Sequence, residues 1–174
     1  MRVRSVVVAV LAACVLSVLV AAPGSAGAVV ASANGGAHWT IPLPNAFDVE
    51  VQNRTLAFNA RRYEDGSASG RFEYQQLAGG EVFKFNVDVT CMALYDGNRA
   101  KIGGVVEQSN DPTVLVGSFA WFQVFDNGEG ANAPPDQSSL VGFGDEAANE
   151  AFCNSPRLPR FGPWDVQGNV QVAA

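Results

Sequence analysis

Residues 81–94 read Glu-Val-Phe-Lys-Phe-Asn-Val-Asp-Val-Thr-Cys-Met-Ala-Leu, and this stretch decides the fold. Phe83, Phe85, Val87, Val89, Cys91 and Ala93 fall on one side. Lys84, Asn86, Asp88 and Thr90 fall on the other. Side chains alternate across a strand, so a two-residue period this long, rich in aromatic and β-branched residues, predicts a half-buried β-strand. The same alternation predicts an inward-facing Cys91.

Outward from this strand the pattern repeats. Leu56, Phe58 and Ala60 alternate through residues 54–63, and Glu64-Asp65-Gly66-Ser67 predicts a hairpin, because Asp-Gly tolerates the positive φ of tight turns. Phe72 and Tyr74 alternate in 69–77 before Ala78-Gly79-Gly80 turns the chain. Asp96-Gly97-Asn98 predicts the next hairpin. Ala100, Ile102, Gly104 and Val106 then continue the inward face, with Gly103-Gly104 marking a bulge, a bend or a close neighbour. Residues 118–125 are apolar on both faces, as expected of a strand covered on both sides. Short strands are expected at 37–41, 138–143 and 165–172, and helical character at 146–152. Together these predict an all-β domain, an antiparallel meander of about eight strands, closed or nearly closed into a small barrel, with a β-sandwich as the alternative.

The beginning of the chain has a different character. Arg2 and Arg4 precede an apolar run of 17 residues, Val6 to Ala22, followed by Pro23-Gly24-Ser25 and the small residues Ala26-Gly27-Ala28. That order predicts a secretory signal peptide over 1–28 and an exported domain over 29–174. An uncleaved anchor is the competing reading, since 17 residues is the lower edge of a spanning helix. Leu11-Ala12-Ala13-Cys14 also looks like a lipidation site, which would anchor the chain through Cys14. The apolar residues after Cys14 are unlike the polar tether a lipoprotein needs.

Export fits the composition. Removing 28 of 174 residues takes away Arg2 and Arg4 and leaves 9 basic against 17 acidic side chains, a net charge of −8. An acidic surface argues against nucleic acid and anionic membranes as partners. No stable membrane insertion is expected after cleavage, and a monomer is expected. Arg outnumbers Lys, and Ala, Val and Gly abound, a habit of high-GC bacteria. With Cys14 gone, Cys91 and Cys153 remain, and an even count in an exported chain predicts a disulfide. A metal or catalytic thiol would want a His close by in sequence.

Few residues suggest chemistry. One His, His38, limits nucleophile–His arrangements, and no Gly-x-Ser-x-Gly motif is present. The segment Asp126-Asn127-Gly128-Glu129-Gly130-Ala131-Asn132-Ala133-Pro134-Pro135-Asp136 is the most distinctive. Its oxygens make Asp126, Asn127, Glu129 and Asp136 a candidate Ca²⁺ loop, without the spacing of an EF-hand. The other reading is a structured loop, in which Asp and Asn cap turns and Pro stiffens the chain. Trp39, Trp121 and Trp164 could stack on sugars or fill a core.

These motifs carry a resemblance. Thr90-Cys91, Gly97 to Ala100, Ile102 to Val106, Phe122 to Gly130, Pro134-Pro135-Asp136 and Gly168 to Val172 together resemble a group of uncharacterised secreted bacterial β-domains. The chain is also loosely similar to the post-COAP-1 type of secreted β-domain, over about residues 54–172. The resemblance implies export and β structure, and brings no activity or catalytic residue. The resulting expectation is a non-catalytic exported domain that binds a ligand or partner at or outside the cell surface. The alternative is a small-barrel enzyme using an interior carboxylate.

Overall fold

The computed structural model describes residues 27–41, 52–130, 132–158 and 162–174. The signal-like segment up to residue 26, Cys14 included, lies outside them. Ten strands and one helix follow in order: β1 (Val29–Ile41), β2 (Gln52–Tyr63), β3 (Ala68–Ala78), β4 (Glu81–Tyr95), β5 (Arg99–Ser109), β6 (Phe119–Phe125), β7 (Gln137–Ser138), β8 (Gly142–Gly144), α1 (Glu146–Cys153), β9 (Trp164–Asp165) and β10 (Gln167–Ala173). The described pairings are antiparallel, and nine strands run side by side as β10-β1-β2-β3-β4-β5-β6-β7-β9, with β8 also on β6. The sheet curls into a barrel with one unsealed seam. The long strands match the alternating segments to within two or three residues.

Two expectations change. The strand expected at 138–143 is two short strands, because Ser139 to Val141 leave the ladder between β7 and β8. The first strand starts at Val29 rather than Ala37. Its Ser, Asn and Gly residues carry no strand signal of their own, and β2 and β10 flank it on both edges.

A third correction concerns Cys91. Phe85, Val87 and Val89 are buried as the alternation predicts. The β4–β5 register then slips between Val89 and Cys91. This β-bulge inserts one residue and inverts the strand's parity. Met92 turns into the core, and Cys91 turns outward toward α1.

The interior is filled by interlocking rings. Phe58 and Phe72 meet Phe122 edge-on, with centroids 5.3 and 4.9 Å away, and Phe72 also meets Phe85 at 6.4 Å. Leu56, Val87, Ile102, Val124 and Val170 complete the packing at no measurable exposure. Each large apolar side chain so buried contributes about 1.5–3 kcal/mol. Helix α1 lies on the outer wall of β4, β5 and β6. That cover explains why β5 is buried on both faces from Arg99 to Gly104.

The barrel has two unlike ends. One carries the β2–β3 and β4–β5 hairpins, the 126–136 loop, the start of β1 and the end of β10. The other, the mouth, carries the β3–β4 turn, the loop 110–118, β8 and the end of β1.

Candidate functional site

The distinctive loop works on the seam. Asp126 Oδ2 accepts the Val172 N–H at 3.0 Å, and Asp136 Oδ2 accepts the Val170 N–H at 2.7 Å. These are alternate residues of β10, so their N–H groups leave the same strand edge, the one β1 does not use. The other oxygens hold the loop itself: Asp126 Oδ1 accepts Gly128 N–H, and Asp136 Oδ1 accepts Asn127 N–H. Asn127 donates from its side chain to the Pro135 carbonyl, and Val166 N–H reaches the Asp136 carbonyl. Two carboxylates thus replace a main-chain ladder where the barrel fails to seal. Glu129 stands apart, exposed beside a groove of about 300 Å³. Among the described residues no three His, Cys, Asp or Glu side chains gather as a cation site.

The outer wall is a second polar centre. Cys91 and Cys153 are joined, with Cα atoms 6.2 Å apart. Asp145 caps the start of α1, accepting the Ala148 N–H at 2.9 Å. At the far end Lys101 Nζ donates to the carbonyls of Phe152 (3.1 Å) and Ser155 (2.6 Å) and lies 4.4 Å from the centre of the Phe152 ring. Tyr95 donates to the Cys153 carbonyl. A cation on a helix's last carbonyls suits their unpaired oxygens and the helix dipole. Lys101 is 2% exposed, and burial, with Arg99 next to it, lowers its pKa to about 8. Arg99 lies over the Tyr95 ring and pairs with Asp96 at 2.8 Å. Trp121 stacks on Phe152 beneath the helix. These groups fasten α1 to the wall.

The mouth holds the third centre. Trp39 on β1 faces Arg54 on β2, and Arg54 faces Gln76 on β3. Arg54 shares the inward parity of Leu56, Phe58 and Ala60. Its Nη1 donates to the Tyr74 hydroxyl and its Nη2 to Gln52 Oε1, both at 2.6 Å. The Trp39 ring meets Tyr74 edge-on at 6.3 Å. Tyr74 is 4% exposed; burial raises its pKa, against the opposing pull of Arg54. Arg54 Nε and Trp39 Nε1 are buried without a hydrogen-bond partner among the described residues. The ion pairs among the described residues are Arg71–Asp88 and Arg99–Asp96, neither involving Arg54.

Sequence reasoning reached the disulfide pair and the 126–136 loop, but the mouth cluster escaped it. Arg54 reads as one polar residue at the start of a strand. A signal existed, since it falls in phase with Leu56 and Phe58. His38 is exposed, with Nδ1 3.3 Å from Thr55 Oγ1. Trp39 lies inside the barrel, and Trp164 is half-buried against the core. No known protein family matches the chain, and no curated protein or solved structure is significantly similar to it.

Proposed function

We propose that this chain is an exported, non-catalytic β-barrel domain that binds a ligand at its mouth. One observation carries the reading: the described interior is filled by interlocking aromatic side chains, while two of the buried donors that lack a partner among the described residues, Trp39 Nε1 and Arg54 Nε, belong to residues that face each other across β1 and β2 at one end of the barrel. Buried donors normally find acceptors, so a pair left over at a barrel mouth marks a place where something is recognised. Export is supported by the signal-like order of residues 1–28, by β1 beginning at Val29, and by the disulfide. Among the described residues no helix is long and apolar enough to cross a membrane. The acidic composition favours a partner other than nucleic acid.

An enzyme using an interior carboxylate would need an acid free to move a proton. Asp136, the buried acid among the described residues, has both oxygens on backbone N–H groups.

Two measurements test the reading. N-terminal sequencing of protein released from cells is expected to begin at Val29; material beginning at Cys14 would make it lipid-anchored. Small molecules that raise the melting temperature are expected to perturb amide signals around Trp39, Tyr74 and Gln76. Perturbations confined to α1 or to residues 126–136 would remove the mouth from the function.

A further inference from the structure

We propose that the outer wall formed by β10, β1, β2 and β3 binds a neutral glycan, laid across the strands with Asn59 at the centre of the contact. This wall lies away from α1, which packs on β4, β5 and β6, and it is independent of the mouth.

The chemistry of the partner follows from what the wall carries. Side chains alternate across a strand, so every second residue points outward. On β10 these include Gln167, Asn169 and Gln171, and on β1 Asn34, His38 and Thr40. The register joins them into rows. Gln171, Asn34, Asn59, Arg71 and Asp88 stand side by side across five strands, and Gln167, His38, Thr55 and Gln75 make a second row. None of the 17 acidic residues of the chain lies in β10, β1 or β2. A solvated surface carries about 25–35% charged residues, and Asp, Glu and Lys thin out where a partner binds. An apolar partner would want an apolar strip, and an anionic polymer would want a row of cations. Amides and hydroxyls each offer a donor and an acceptor without charge, as the hydroxyls of a sugar do.

The relief of the wall gives the partner a place. Two depressions share the exposed Asn59. One, of about 340 Å³, is lined by Ser32, Asn34, Asn59 and Arg61. The other, of about 530 Å³, is lined by Asn59, Ser69, Arg71 and Asp88. Joined at Asn59, they make one trough across β1, β2, β3 and β4, within the size range of ligand sites. Beside it, a Cβ added at Gly36 would meet nothing within 4 Å, so the flank of the trough is open. In the trough Arg71 Nε donates to Asp88 Oδ1 at 2.9 Å. That bond uses one atom of each side chain and sets the second Asp88 oxygen beside the Arg71 amino groups, an acceptor next to donors, which suits adjacent hydroxyls. The three Trp residues lie elsewhere: Trp39 inside the barrel, Trp121 beneath α1 and Trp164 half-buried against the core. The grip therefore comes from hydrogen bonds spread over several sugar rings, and long chains bind better than single sugars.

The test uses the full chain with its disulfide intact, run in native gels that contain hydroxyethylcellulose, soluble starch, galactomannan or polygalacturonate. At least one of the three neutral polymers is expected to retard the protein, equally in low salt and in about 0.5 M salt, because uncharged contacts are not screened. Its monosaccharide should not compete. Polygalacturonate should not retard the protein. Asn34→Ala with Asn59→Ala is expected to weaken the retardation about tenfold, from the usual strength of two neutral hydrogen bonds, at an unchanged melting temperature because both side chains are exposed. Glu129→Ala, outside the wall, should bind as the parent does.

Failure of all three neutral polymers to retard the protein overturns the proposal. So does retardation that the double variant leaves unchanged, or stronger, salt-sensitive retardation by polygalacturonate. Amide signals of Asn34 and Asn59 that shift with protein concentration alone would make the wall a contact between copies of this chain instead. A glycan that perturbs Trp39 and Tyr74 but not Asn59 would sink the wall and leave the mouth reading standing.

Discussion

Asp136 and Asp126 show how a side chain can do the work of a strand. Each gives one oxygen to a β10 N–H and one to its own loop. Asp136 is the more deeply buried, and a hydrogen bond to a charged group contributes about 1.5–3 kcal/mol. Asp136→Ala is therefore expected to cost about 3 kcal/mol in urea unfolding at unchanged m-value, and Asp126→Ala about half that. Because these oxygens are occupied, thermal melts with Ca²⁺ and with chelator are expected to share one midpoint; a rise with Ca²⁺ would return the loop to metal binding. Lys101 makes a pH prediction. Its folded pKa falls from 10.5 to about 8. Between those values the unfolded chain holds a proton that the folded one has released. Stability should then rise with pH from about 8 to about 10.5, and Lys101→Met should abolish that rise. The sequence showed the acidic loop but not its use, because the N–H groups it binds lie 34 and 46 residues away.

At the scale of elements, α1 depends on its fastenings. Eight residues are too few to hold a helix in water alone. The Cys91–Cys153 bridge closes 62 residues, for which chain entropy gives about 4 kcal/mol. Reduction is expected to lower stability by up to that amount. In hydrogen exchange α1 should lose protection first, while β2, β3 and the inner half of β4 keep theirs. Uniform loss across the barrel would show that the bridge supports the whole sheet. Gly103 belongs to the same joint. A Cβ there would run into the Asn149 side chain, so Gly103→Ala should lift α1 from the wall. The pair Gly103-Gly104 was legible as a bulge, a bend or a close approach, of which the structure has the close approach to Asn149, and the helix was legible too. The face of Cys91 was not, because a bulge is a main-chain event and Val89-Thr90-Cys91 alternates on paper just as its neighbours do. The apolar part of the inward faces of β2 and β3 was legible, since Leu56, Phe58, Ala60, Phe72 and Tyr74 keep one parity, whereas Arg54 in the same phase was missed.

For the whole molecule, a meander with short turns sets which residues share an end. The mouth cluster assembles across neighbouring strands, Trp39 opposite Arg54 and Arg54 opposite Gln76, and the curl of the sheet turns it inward; the phase of Arg54 with Leu56 and Phe58 was its one local sign. The same curl brings the start of β1 beside the end of β10, with Ser32 opposite Ala173. Both lie at the pole opposite the mouth. The chain therefore enters β1 and leaves β10 at the same pole, so a tether or fusion partner attached just ahead of Val29 or just after Ala173 departs from one side. The mouth is then displayed outward like a cup on a stalk, and immobilising the protein by either terminus should leave ligand access equal.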